Sequence, residues 1–162
     1  MPNPPPRVVI DTNTLLRGIV SETSAAAKIR LAAERRAVIP LLSKAVLDEY
    51  RAVLCHASLR ERFPELAAKE VAFLIKRLLF VGEYIRTPHA RFEYERDRRD
   101  QKFIELAIEL SATHIISSDE DLLSLMQSPS DAGKRFRQRL LGIEIVEAGN
   151  FVRQHGATLN LT

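Results

Sequence analysis

A chain of 162 residues is the length of one ordinary domain, long enough to bury a real core. With 46% apolar and 28% charged residues it is neither disordered nor fibrous, and with no Trp its core must be mainly Leu, Ile, Val and Ala. The single cysteine, Cys55, excludes an intramolecular disulfide and a Cys-rich zinc site, and a net charge of +3 is only a faint pointer to a nucleic-acid partner.

The opening MPNPPPR lacks the apolar centre of a signal peptide and reads as a flexible Pro-rich lead-in over residues 1–6. No run approaches the ~18 apolar residues of a membrane span, so a soluble, cytoplasmic protein is expected. Arg7–Ile10 is a β-branched run that predicts a buried strand, stopped by the turn-forming Asp11-Thr12-Asn13. A short helix follows over 15–20, a capped break over 21–24, and a second helix over 25–36. Residues 38–42 predict a second strand, in which Pro40 argues against a fully paired position unless it lies near a strand end.

Ser43 caps a helix running to about residue 57, with Val46, Leu47, Tyr50, Val53 and Leu54 on the helical period. Cys55 is expected there as a buried, inert thiol. Pro64 opens a helix over 65–81, and residues 84–86 predict a short strand. A charged loop over 90–99 leads to a helix over 100–111, a strand over 114–117 and a capped helix start over 118–126. Residues 127–139 are polar and basic, 142–146 predict a last strand, and 151–155 a short closing helix. The whole predicts one domain over 7–155 and a tail over 156–162. Alternating strands and helices favour an α/β layer fold around a mostly parallel sheet.

Asp11 follows VVI and Asp119 follows HIISS, so in a parallel sheet both stand at the carboxyl edge, where open α/β sheets bind ligands. Strands about 4.8 Å apart would let two such carboxylates share a cation. Asp100 opens a helix whose inward face continues through Phe103, Ile104 and Ala107; Glu49 lies mid-helix beside the apolar stripe. Four converging carboxylates repel, and Mg²⁺ or Mn²⁺ would resolve the repulsion and activate water at a phosphodiester. Each acid also has a plain structural reading. Asp11 and Asn13 suit a turn, Asp100 and Asp119 suit N-caps, Ser118 with Asp121 suits a capping box, and Glu49 suits a solvated helix. His56, His89, His114 and His155 have no metal-ligand spacing.

Taken in order, VVIDTN, LLSKAVLDEYRAVL, RDRRDQKFIELAIEL and THIISSDEDLL resemble the PIN domain, nearest its bacterial branch of toxin components of toxin–antitoxin systems, the VapC-like ribonucleases. The resemblance implies a three-layer α/β/α fold with a central, mostly parallel sheet of about five strands. It implies metal-dependent endoribonuclease activity with Mg²⁺ or Mn²⁺, an RNA substrate, a cognate antitoxin and a homodimer. It assigns Asp11, Glu49, Asp100 and Asp119 as catalytic, the three aspartates as metal ligands, and Asn13 and Asp97 as supporting groups; Asp121, a first-turn helix acid, is a further supporting polar residue beside them. Arg98 stands where relatives carry Pro, and Ser117-Ser118 where they carry Thr-Gly.

Arg96, Arg98, Arg99 and Lys102 around Asp100 are the expected RNA contacts, with Lys134, Arg135, Arg137 and Arg139 a second basic patch. Three other readings stand beside this one: a non-catalytic RNA- or protein-binding module, a DNA flap nuclease, and a HAD-like phosphatase. Asn13 weighs against the last, which normally needs an Asp there.

Overall fold

In the computed structural model, which describes residues 3–161, β1 (Arg7–Ile10), β2 (Ile39–Ser43), β3 (Glu83–Ile85), β4 (His114–Ile116) and β5 (Glu144–Val146) form one sheet. Its order is β3-β2-β1-β4-β5 and every pairing is parallel. Met1 and Pro2 of the lead-in and Thr162 of the tail lie outside the described residues. The helices are α1 (Thr12–Val20), α2 (Ala25–Glu34), α3 (Lys44–Leu54), α4 (Ala57–Arg62), α5 (Ala68–Val81), α6 (Gln101–Glu109), α7 (Glu120–Ser124), α8 (Asp131–Arg139) and α9 (Ala148–His155). None among the described residues is long and apolar enough to cross a membrane.

This strand order makes the chain step from β1 towards β3, then cross back to β4 and β5. With right-handed crossovers the two runs of helices fall on opposite faces of the sheet. Packing agrees: α2 meets α1, α5 and α9, whereas α6 lies across β1, β2 and β4. The three-layer α/β/α arrangement is therefore present. β1 and β4 are neighbours whose connections leave in opposite directions, which makes the gap beyond their carboxyl ends the switch point of the sheet.

β1 and β4 are buried from both sides, with Val8, Val9, Ile115 and Ile116 all at 0% exposure. Pro40 sits in an inner strand without conflict. Ile39 donates to Pro6 on the β1 side at 2.8 Å, so the Pro40 nitrogen faces the β3 side, where pairing begins only at Leu41.

Several boundaries differ from expectation. α1 begins at Thr12 because Asp11 itself is its cap, its side chain accepting from the Thr14 N–H. The helix expected to reach residue 57 ends at Leu54; His56 then caps α4, whose residues are all at least partly exposed. The helix after Pro64 opens as a 3-10 turn, Pro64–Leu66, before α5. Cys55 is half-buried rather than fully enclosed. The stretch 127–139 contains α8, capped by Ser130. Beyond α9 the backbone turns back, and Leu161, 7% exposed, joins the core.

Candidate active site

Asp11 and Asp119 stand at the switch point, directly after β1 and two residues beyond Ser117 of the β4 run. Asp11 is 5% exposed. One of its carboxylate oxygens accepts the Thr14 N–H at 2.7 Å and the other accepts the Ser117 hydroxyl. Burial pushes its pKa up, and the bonds from Ser117 and Thr14 oppose that rise. Ser117, at 0% exposure, also accepts the Asp119 N–H at 3.0 Å, so one buried hydroxyl ties the two strand ends together. Asp119 caps α7 directly, accepting from Asp121 N at 2.8 Å and Leu122 N at 3.2 Å. It takes the cap position that the sequence reading offered to Ser118 as well.

Asp100 precedes α6 in helical conformation and makes no side-chain cap bond. Its Oδ2 is buried with no hydrogen-bond partner, alone in that respect among the described side chains. Its pKa is pushed up to about 7, first by burial, then by the carboxylates of Asp97, Asp119 and Asp11, with Lys102 opposing. An orphaned buried carboxylate oxygen surrounded by further carboxylates is a strained arrangement in water and a favourable one for a cation.

Glu49 extends from α3 into the same cleft. It accepts from Lys102 Nζ at 2.8 Å through one oxygen and from the Thr12 hydroxyl through the other. Beside it, the buried Tyr50 hydroxyl donates to the Ile10 carbonyl, and that contact holds α3 against the end of β1. Together Asp11, Asn13, Glu49, Asp97, Asp100 and Asp119 line one cleft of 210 Å³. All four acids assigned as catalytic therefore open onto a common space, with Asn13 and Asp97 beside them.

The basic residues are less uniform. Lys102 is committed to Glu49 and to the Arg99 carbonyl, at 2.8 and 2.5 Å. Arg99 pairs with Asp97 at 3.3 Å and lowers the carboxyl pKa of Asp97. Arg96 reaches Asp121 at 2.6 Å, and Asp121, held in this ion pair, is not among the residues that line the cleft. Arg98 is exposed. Sequence reasoning did not single out Thr12 or the Lys102–Glu49 pair. A separation of 53 residues leaves no periodic signal for that pair.

No three His, Cys, Asp or Glu side chains among the described residues stand together as a ready ion-binding cluster. The donors nevertheless fit a hard divalent cation. They are carboxylate oxygens facing one small cleft, one is unpartnered, and the carboxylates of Asp97, Asp119 and Asp11 all raise the pKa of Asp100. Neither the curated proteins nor the solved structures compared with the chain give a match. A PIN domain family model matches residues 7–121, the span from β1 through the second residue of α7 that carries all four acids. That span holds β1 to β4 and the switch-point acids, and the chain belongs to the PIN-domain family, a nuclease-type fold.

Proposed function

We propose that the chain is a metal-dependent endoribonuclease that hydrolyses RNA phosphodiester bonds with Mg²⁺ or Mn²⁺. The observation that carries this reading is Asp100 Oδ2, buried and unpartnered between the acids at the β1 and β4 ends. Asp11, Asp100 and Asp119 are the residues that would hold the ion. A divalent ion on oxygen donors polarises a phosphoryl oxygen and acidifies bound water. The protein's own share is positioning: Ser117 and Thr14 fix the Asp11 carboxylate, and the α7 backbone fixes Asp119. Glu49, held by Thr12 and Lys102, orients the attacking water, and the exposed Arg98 with Arg96 and Arg99 meets backbone phosphates. In-line attack by that water leaves a 5′-phosphate and a 3′-hydroxyl.

The decisive experiment offers labelled single-stranded RNA, tRNA and flap DNA to wild type and Asp11→Asn, with Mn²⁺, Mg²⁺ or EDTA. RNA cutting that needs the metal and disappears in Asp11→Asn supports the reading. Cutting of flap DNA alone would make it a flap nuclease. Full cleavage in excess EDTA, or 2′,3′-cyclic phosphate ends, overturns the mechanism. A non-catalytic RNA-binding module is the second reading, favoured by the engagement of Glu49 with Lys102; RNA binding without cleavage in any metal would establish it.

The further reading, a cytoplasmic toxin held by a cognate antitoxin and acting as a homodimer, rests on the resemblance. Induced expression in a bacterial host should arrest growth with wild type and not with Asp11→Asn, and equal growth of the two would sink the toxin role.

A further inference from the structure

Next to the acidic cleft lies a far larger cavity, 790 Å³, between the 94–96 segment and α8. The matched family span ends at residue 121, so the α8 wall is built by chain beyond it. Lys134, Arg135 and Gln138 line the cavity from α8. Their spacing of one, three and four residues puts them on one helix face, with Gly133 and Phe136 turned into the protein. Arg96 lines it from the facing segment and pairs with Asp121, two residues after the cleft acid Asp119. Cavity and cleft therefore adjoin.

The walls are fixed in advance. Arg137 clamps the turn before α8, donating to the Leu125 and Ser128 carbonyls at 2.9 Å each. Arg135 donates to the Glu93 carbonyl at 3.2 Å, Arg139 donates to the Arg91 carbonyl, and Phe136 meets Phe92 edge-on at 6.1 Å. The basic patch of the sequence is thereby divided. Arg137 and Arg139 are spent on fastening, whereas the Lys134 side chain is exposed and its ammonium makes no hydrogen bond or ion pair among the described residues. Three cations line the space against two acids, Glu95 and Asp131. The 210 Å³ cleft has room for little more than the reacting phosphodiester, while the larger cavity is of a size that takes a nucleotide.

We propose that this cavity is a subsite for the sugar–phosphate backbone of the RNA strand flanking the cut, with Lys134 its principal free phosphate contact. RNA is favoured over an acidic polypeptide because Arg96 of the cavity wall is followed in the chain by Asp97 of the cleft wall, and because the cavity is preformed. The proposal takes its ligand from the ribonuclease reading above, so its test is made without cleavage. Anisotropy of a labelled single-stranded RNA is read in EDTA over a series of KCl concentrations, for wild type, Lys134→Glu, Lys134→Arg and a control on α5, Lys76→Glu.

Lys134→Glu should weaken binding by about five-fold or more and flatten the log K against log salt slope by about 0.7, the value for one lost contact on a single strand. Lys134→Arg should bind as wild type, and Lys76→Glu should change neither quantity. Unchanged RNA binding by Lys134→Glu overturns the subsite, as does an equal loss in Lys76→Glu, or no RNA binding by wild type. So does a Lys134→Glu loss seen with poly-glutamate and not with RNA, which would make the face a protein contact. A chain that binds RNA through Lys134 but never cuts it overturns the nuclease reading and leaves the subsite standing.

Discussion

Ser117 has no exposed surface, yet its hydroxyl donates to Asp11 and accepts the Asp119 N–H. Ser117→Ala would leave a buried carboxylate short of one donor and a backbone N–H without its acceptor. The expected loss is about 1–3 kcal/mol in urea unfolding; a loss within error of zero would mean that water replaces the hydroxyl. Asp100 gives the opposite sign. Its folded pKa, about 7, lies above the ordinary aspartate value of 3.8, so the folded state holds a proton that the unfolded chain has released. The stability contributed by this proton is then lost as pH rises from about 4 to about 7. At pH 8 in EDTA, Asp100→Asn should melt above wild type by roughly 2–4 °C, the worth of about 1 kcal/mol in a chain of this size. Mn²⁺ should raise the wild-type Tm at pH 8 and raise that of Asp100→Asn much less. Equal Mn²⁺ shifts in the two proteins would remove Asp100 from the ion site.

At the scale of elements, α8 depends on two residues. Phe136 is 1% exposed and supports the 91–93 segment through Phe92. Gly133 lets the helix approach the preceding turn, where a Cβ would lie 2.6 Å from the Ser128 carbonyl. Phe136→Ala should cost about 3–5 kcal/mol and speed amide exchange in residues 91–97. Protection there equal to wild type would show that the segment does not depend on α8. The same helix illustrates where the sequence was opaque. In GKRFRQR one buried aromatic among charges gives no apolar stripe, so the helical period is invisible until the packing is known. The break after Leu54 was hidden for the converse reason, since Cys55, Ala57 and Leu59 extend the apolar composition past the true end. Asp11 and Asp119 were legible because each follows an apolar β-branched run, and the parallel sheet turns that local likeness into proximity. The link from Glu49 to Lys102 and Thr12 joins three elements and left no local trace.

Across the whole molecule the sheet separates two titrating groups. Asp100 faces the carboxyl edge. His114 opens β4 at the amino edge, 7% exposed, its ring edge-on to Phe151 and to His155 at 5.0 Å each and its strand partner Glu144 opposite. Its Nδ1 lies 2.8 Å from the Thr113 hydroxyl. Burial lowers the His114 pKa, the neighbouring His155 lowers it further, and Glu144 opposes. A depressed folded pKa means that the unfolded chain binds the proton first. The stability this group contributes is present above its ordinary value of 6.5 and is lost as pH falls through the lowered one. Asp100 acts oppositely over part of the same range, since its protonation on acidification favours the fold. In EDTA the two slopes oppose, and the stability profile near neutrality should be flat. Mn²⁺ takes over the role of the proton at the carboxyl edge and should expose the His114 limb, with Tm falling steeply from pH 7 to pH 5. His114→Phe keeps a ring against Phe151 and removes the titration, so with Mn²⁺ present it should flatten that fall. An equally steep fall in His114→Phe would assign the acid limb to the ligand carboxylates and away from the amino edge.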